Sequence, residues 1–364
     1  MRVHVVDPSA FTPPYDHALC RALGIAGAEV ELYTSRFAYG PVMTPQRYQR
    51  RELFYRVAAH VENAAARRAV KLAEHVPDML RYRRRARSAD IAHFQWLTVQ
   101  HLDGMLLPRR DAGPKLLLTA HDVLPREPRA GQLSAQRRLY ERFDAIVVHS
   151  EHGRCRLTQE LGVQAARVHV IPHGVFEHLA QAPPAPAPFE TELPVVLCFG
   201  LMRPYKGIDL LLEAWAGIED AELWIVGMPR MDIAPLLAAA PARVRFVARF
   251  VGDRELPPYF RRADLVVLPY REIDQSGVLF TALAFARPLL LSDVGGFPEI
   301  AATGAARTFP AGDAAALRET IRTLLADDGA RAAMARRAGE LSAGELGWES
   351  IGQRTLALYA SLRS

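Results

Sequence analysis

The sequence predicts an α/β protein with two parallel-sheet domains, and three observations predict it. Short apolar runs alternate with longer segments of helical character along the whole chain. The runs are almost continuously apolar, as strands are when helices cover both faces of a parallel sheet. A Pro- and Ala-rich stretch, QAPPAPAPFETELP from Gln181, separates two groups of such runs, and its composition suits a semi-rigid linker. At 364 residues the chain is long for one such domain and sufficient for two, each with its own core.

The strands expected in the first group are RVHVV from Arg2, AEVELYT from Ala28, DIAHF from Asp90, KLLLTA from Lys115, DAIVVHS from Asp144 and VHVI from Val168. The second group holds PVVLCFG from Pro194, ELWIVG from Glu222, VRFVA from Val244, DLVVLP from Asp264 and PLLLS from Pro288. The domains are therefore placed at 1–180 and 194–346, with 181–193 as linker. A last helical segment at 347–364 carries Trp348, Ile351, Leu356 and Tyr359 on one face. Periodicity leaves open which domain it closes. The stretch from Thr44 to Ser88 is helical in character and rich in arginine, ending in RYRRRARS. A solvated helix face explains it, and so does a basic surface for anionic lipid headgroups.

Composition narrows the function classes. Hydrophobic residues make up 50% and charged residues 23%, an ordinary globular balance. Cys20, Cys155 and Cys198 are far apart, without metal-ligand spacing or a disulfide framework, and are expected as small apolar side chains. The net charge of +5 and the pI of about 9.2 favour phosphate-bearing partners. No nucleic-acid module accompanies the basic run. The first residues lack a charged region followed by an apolar one, and no apolar run is long enough to span a bilayer. A cytoplasmic protein is expected, with peripheral contact at the inner membrane face through 44–88 as an option.

Two loops carry candidate chemistry. In FGLMRPYKGIDLLLEAW, from Phe199, a buried strand ends at Gly200, a short loop brings Arg203 and Lys206, and Gly207 opens an amphipathic helix. Backbone N–H groups and two cations at the carboxyl edge of a sheet form an anion site. In YREIDQSGVLFTALAFARPLLLSDVGGFPEI, from Tyr270, the polar loop Asp274, Gln275, Ser276, Gly277 leads into a second helix whose first turns carry Val278 and Thr281. Gly295 and Gly296 follow, and turn geometry alone accounts for them.

These two stretches resemble the nucleotide-sugar-binding half of the family 4 glycosyltransferases, which have the GT-B architecture of two Rossmann-like domains facing a central cleft. The likeness extends to DAIVVHSEHGRCRL from Asp144, VHVIPHGV from Val168, KLLLTAHDVLP from Lys115 and WESIGQRTLALY from Trp348. The resemblance implies that 347–364 packs back on the first domain. It implies that Arg203 and Lys206 bind the donor phosphates and stabilise the departing diphosphate. The N–H groups around Ser276 and Gly277 would cradle the same phosphates. His121 would stand beside the donor sugar and its distal phosphate, and Phe250 and Val251 near the base. It also implies retention of anomeric configuration by front-face attack, with a phosphate oxygen taking the acceptor proton. No D-x-D triplet occurs in the chain, which fits neutralisation of the diphosphate by side-chain cations, with no metal and no cofactor.

The sequence departs from the family pattern at three places. The second glutamate of the family's E-x7-E arrangement, which normally binds the ribose, falls on Thr281, and Glu272, Asp274 or Gln275 replaces the first. Leu201 stands where the phosphate-binding arginine usually follows the loop glycine, and Arg203 lies two positions later. The loop after the first strand is DPSAFTPPYDHAL, from Asp7, rich in proline instead of glycine. Tyr15 and Asp16 in that stretch, with His93, Gln95 and Trp96 after another strand, are the acceptor-side candidates. The acceptor class is a glycan, a lipid-linked molecule or a small molecule. The alternatives are a GT-B sugar-nucleotide epimerase, which needs acid and base carboxylates, and a catalytically silent nucleotide-sugar-binding protein. A dinucleotide-dependent oxidoreductase is excluded, since no G-x-G-x-x-G follows the first strand.

Overall fold

The computed structural model describes residues 1–38, 40–109, 113–124, 131–183 and 185–363, with the backbone alone at 100 and 101. Pro125, Pro184 and Ser364 of the segments named above lie outside these residues. The chain divides into two compact units, one of Met1–His173 with Trp348–Ser364, the other of Gly174–Gly347.

The first unit holds a seven-stranded sheet in the order β3-β2-β1-β4-β5-β6-β7. Its strands are β1 (Arg2–Asp7), β2 (Glu29–Ser35), β3 (Gln49–Phe54), β4 (Ile91–Phe94), β5 (Lys115–Thr119), β6 (Ala145–Val148) and β7 (Val168–Val170). Every pairing is parallel. Strand residues alternate between two apolar layers. Val6, Leu116 and Leu118 enter one layer, and Val3, Val5 and Leu117 the other. That alternation is what a sheet covered on both faces requires. The helix Trp348–Ser361 joins this unit and packs on the helix Pro13–Ile25 so closely that a Cβ at Gly352 would stand 2.8 Å from the Ala22 Cβ. The proline-rich stretch after β1 is therefore only partly loop. Pro13 and Pro14 occupy the first positions of a helix, where proline's missing N–H goes unused.

The second unit holds a six-stranded sheet in the order β10-β9-β8-β11-β12-β13. Its strands are β8 (Val195–Phe199), β9 (Glu222–Val226), β10 (Val244–Val247), β11 (Leu265–Leu268), β12 (Leu289–Ser292) and β13 (Ala306–Phe309), all paired in parallel.

Three expectations need correction. The arginine-rich stretch is not helical throughout, because Gln49–Phe54 is the edge strand β3. Its residues, QRRELF, are half exposed and charged, as edge strands commonly are, so no apolar run marks it. The helix covers Ala64–Arg85, capped by the Asn63 side chain, which accepts from the Ala65 and Ala66 N–H groups. A further edge strand, β13, is unmarked for a related reason, since its central Arg307 and Thr308 are exposed. Finally, the expected linker belongs to the second unit. Val175 and Leu179 enter that unit's core. Arg261 donates to the carbonyls of Ala180, Ala182 and Pro183, and Arg262 to those of Thr191 and Leu193. Phe189 packs edge-on against Trp224 at 5.2 Å. Such charge-assisted bonds and ring contacts anchor a segment whose composition alone suggests a spacer.

Candidate active site

In the second unit the cation loop follows β8. Arg203 is extended and exposed, Pro204–Lys206 make one tight turn, and Gly207 starts the helix Ile208–Trp215. Gly207 has φ +66°, and a Cβ there would lie 2.0 Å from the Pro269 carbonyl oxygen, so only glycine fits. Lys206 is 8% exposed and sets its Nζ 3.7 Å from the centre of the Tyr270 ring, a cation–π contact within a desolvated setting. The Tyr270 hydroxyl meets Ser276 Oγ at 3.3 Å. Tyr270 thus touches the cation loop with its face and the serine loop with its edge. Ser292 Oγ donates to the Tyr270 carbonyl at 2.6 Å and fixes its backbone.

Arg271 braces the same loop. It pairs with Asp209 at 2.6–2.9 Å and donates to the Pro204 carbonyl, and its N–H bonds the Tyr205 carbonyl. The Arg271 guanidinium holds the Asp209 carboxyl below its usual value. Neither Tyr270 nor Arg271 was singled out from the sequence. The position of YR directly after the DLVVLP strand was the available signal.

The serine loop leads into the helix Gly277–Ala284, with Ser276 at its cap, Asp274, Gln275 and Val278 half-buried and Gly277 exposed. Gln275 Oε1 accepts the Ser276 N–H at 3.2 Å. Thr281 is buried and returns its hydroxyl to the Gly277 carbonyl at 2.9 Å, so its oxygen is committed to its own helix. Gly295 has φ +58°, and a Cβ there would lie 1.8 Å from the Ile273 carbonyl oxygen, which is turn geometry under close packing. Phe250 is 52% exposed, whereas Val251 belongs to the apolar core.

In the first unit His121 follows β5, with Trp96 stacked flat on it at 5.0 Å and 12° between planes. The Trp96 Nε1–H donates to Thr12 Oγ1 at 3.0 Å. Phe11, Trp96, Thr98, His121, Gln136 and Tyr140 are among the residues lining a cavity of about 310 Å³. The other acceptor-side candidates lie inside the unit instead of on its surface. Tyr15, Asp16, His93 and Gln95 are each 1–3% exposed. Tyr15 packs edge-on against His121, His173 and Trp348. His93 bridges the Tyr359 hydroxyl at 2.7 Å and Thr119 Oγ1 at 2.8 Å.

Asp16 hydrogen-bonds Asp7, and burial, followed by the Asp7 charge, pushes its carboxyl well up. It therefore keeps its proton while Asp7 receives the N–H groups of Ser9, Phe11 and Thr12. Residues read as ligand contacts from their polarity thus shape the floor of the site. Burial, then the neighbouring His149, His173 and His93, hold His121 well below the ordinary histidine value. His149 is lowered to about 4, chiefly by burial.

Comparison with known proteins agrees with these two halves. The family model described as Glycosyltransferase Family 4 matches residues 15–177, and that described as Glycosyl transferases group 1 matches 193–327. A GDP-mannose:glycolipid 4-beta-D-mannosyltransferase of Xanthomonas campestris pv. campestris is 38% identical over 101 residues, 26% of this chain and 29% of the relative. The alignment thus spans under a third of that relative. A D-inositol 3-phosphate glycosyltransferase of Kineococcus radiotolerans is 26% identical over 307 residues, 72% of this chain and 68% of that protein. Among solved structures, sucrose-phosphate synthase of Thermosynechococcus elongatus superposes with a TM-score of 0.77 at 19% identity, covering 100% of this chain and 99% of that one. Anabaena HepE in complex with UDP-glucose gives 0.74 at 16% identity, covering 99% and 100%. The fold is GT-B, and the chain belongs to family 4 of the glycosyltransferases.

Proposed function

We propose that the chain is a hexosyltransferase that moves a sugar from a nucleoside diphosphate sugar to a hydroxyl of a glycan, lipid-linked or small-molecule acceptor. The observation that carries this reading is the buried Lys206 ammonium beside exposed Arg203, braced through Tyr270 to the Ser276 hydroxyl at the start of the second loop's helix. Such an array suits a leaving diphosphate, whose charge grows as the glycosidic bond breaks. In the retaining course we favour, the acceptor oxygen bonds to the anomeric carbon as the bond to the diphosphate breaks. The acceptor proton passes to a phosphate oxygen. Arg203 and Lys206 do the neutralising that a metal does elsewhere, so no metal and no cofactor are invoked. We assign His121 to a hydroxyl of the reacting sugar. Thr281 offers the ribose no carboxylate, so the base and ribose are gripped differently from the usual family pattern.

The test is a thermal-shift screen against UDP-, GDP-, ADP- and dTDP-sugars with EDTA present, followed by turnover with the donor found. A shift with one base supports a metal-free donor site. A shift without turnover against any acceptor class favours the silent binding protein. A β-forming relative supports a second reading, inversion of an α-configured donor, and the one-bond ¹³C–¹H coupling at the anomeric carbon of the product separates the two.

A peripheral lipid contact is part of the proposal. Leu72, Val76 and Leu80 are exposed at four-residue spacing on the helix Ala64–Arg85. Arg36, Arg50, Arg51, Arg56 and Arg85 line a nearby cavity of about 760 Å³. Among the described residues no helix is long and apolar enough to cross a membrane. Flotation with anionic vesicles, lost on Leu72→Ser with Leu80→Ser, is the expected result; unchanged flotation removes this contact.

A further inference from the structure

We infer that His149 is the positioning residue for His121. A hydrogen-bonded chain from the Ile171 carbonyl through His149 holds His121 as the neutral tautomer with its hydrogen on Nδ1 and its lone pair on Nε2. His121 then meets a ligand as an acceptor of a hydroxyl hydrogen and not as a donor to phosphate.

Each hydrogen along this chain follows from the partner it meets. His149 Nδ1 lies 3.0 Å from the Ile171 carbonyl oxygen. A carbonyl only accepts, so this nitrogen carries a hydrogen. In neutral His149 the other nitrogen, Nε2, is then a bare lone pair. It faces His121 Nδ1 at 3.3 Å, and two lone pairs do not face each other at that distance, so His121 Nδ1 carries the hydrogen. Neutral His121 is left with its lone pair on Nε2, 3.1 Å from the side-chain amide of Gln95.

That amide supplies an independent check. With Gln95 Oε1 toward His121, the buried Gln95 Nε2 has no partner, and the two acceptors oppose each other. Turning the amide by a half rotation gives its NH₂ to the His121 lone pair and ends the opposition of two acceptors, leaving Oε1 in the unpartnered position, and the choice of amide orientation is set by such networks. A ligand hydroxyl that uses this lone pair takes the place of the Gln95 amide.

The alternative state adds one proton to the pair. His149 would be an imidazolium donating to His121 Nδ1, and His121 would donate from Nε2 to Gln95 Oε1. Burial opposes that charge. The groups packed around the pair include further imidazoles, His93 and His173, and the Tyr15 and Trp96 rings. Burial also keeps both histidines below their ordinary value.

The tautomer itself does not depend on the transferase reading, but its consequence for turnover does. The full chain, labelled with ¹⁵N-histidine, is examined by long-range ¹H–¹⁵N correlation between pH 6 and 8, with His121→Asn and His149→Gln supplying assignments. The expected result is a protonated Nδ1 and bare Nε2 on His121, and a protonated Nδ1 on His149. Protonation of His121 at Nε2, alone or with Nδ1, overturns the inference whether or not the chain transfers sugar.

In the kinetic arm, His149→Leu removes the acceptor, while His149→Gln can accept from His121 and donate to Ile171. With folding confirmed by circular dichroism, the expected result is a fall in kcat of at least about tenfold for the leucine variant, a shift of its His121 spectrum toward mixed tautomers, and recovery in the glutamine variant. An unchanged His121 spectrum in His149→Leu overturns the positioning role. If the wild type transfers nothing, the spectra still decide the inference, and only the proposed function fails.

Discussion

The candidate residues of the two units occupy equivalent places, the carboxyl edge of a parallel sheet, and carry opposite electrostatics. Beyond β8 and β11 stand Arg203, a buried lysine on a tyrosine face, and loop N–H groups. In the first unit stand four histidines, His93 in β4, His121 beyond β5, His149 beyond β6 and His173 beyond β7, and burial holds the first three below their ordinary value. Topology therefore decides where a ligand-binding edge lies, while a few loop residues decide whether it holds charge or excludes it. A departing diphosphate needs the first kind of edge. A neutral sugar hydroxyl needs the second.

Four measurements test that contrast. Lys206→Ala removes the buried cation, and turnover is expected to fall about 10²- to 10³-fold with the fold intact. Turnover near the wild-type rate would remove the second unit's charge-holding role. Gly207→Ala tests whether that edge is as tightly built as its backbone implies. With φ +66° and a carbonyl 2.0 Å from the new Cβ, a loss of more than about 2 kcal/mol in urea unfolding is expected. A loss below about 0.5 kcal/mol would mean the loop relaxes freely.

The third measurement concerns the neutral edge. His93 is lowered to about 3 and His149 to about 4. Between about pH 6.5 and those values the unfolded chain binds protons that the folded chain refuses, so stability falls as pH drops. His149 alone contributes on the order of 2 kcal/mol of loss between pH 6.5 and pH 5. His149→Gln is expected to flatten the curve by that much, and a curve of unchanged slope would show that His149 is already charged in the fold.

The smallest effect is Asp16→Asn. The raised Asp16 carboxyl contributes stability at low pH that is lost as pH rises through its folded value. An amide keeps a donor to Asp7 without that loss, so a change under about 1 kcal/mol, neutral or stabilising at pH 7, is expected. Asp7→Asn should cost more, since three N–H groups lose a charged acceptor. A strongly destabilised Asp16→Asn would mean that Asp16 is ionised.

Legibility from sequence followed the apolar strands. The eleven apolar runs announced themselves, β7 and β10 among them at sheet edges, while QRRELF and ARTF did not, because exposed polar side chains interrupt both. The cation loop was legible because strand, glycine, cations and helix follow one another within seventeen residues, FGLMRPYKGIDLLLEAW. Tyr270 was not, because its use depends on two loops meeting around one ring. The histidine chain was hidden for the same reason. His93, His121, His149 and His173 are each separated by more than twenty residues and converge only when β4 to β7 align. Polarity did not distinguish Tyr15, Asp16 and His93, which are buried, from Gln95, which is buried too but lines the cavity beside Trp96 and His121.

The packing of Gly352 against Ala22 has a consequence for the order in which the molecule is made. The helix Trp348–Ser361 completes a core whose remaining members end at Ile171. On the ribosome that core waits for nearly two hundred further residues, during which Gly174–Gly347 can fold as a self-sufficient body. The half synthesised first is finished last, and in the interval the partners of Trp348, Ile351 and Tyr359 remain uncovered for chaperones to meet.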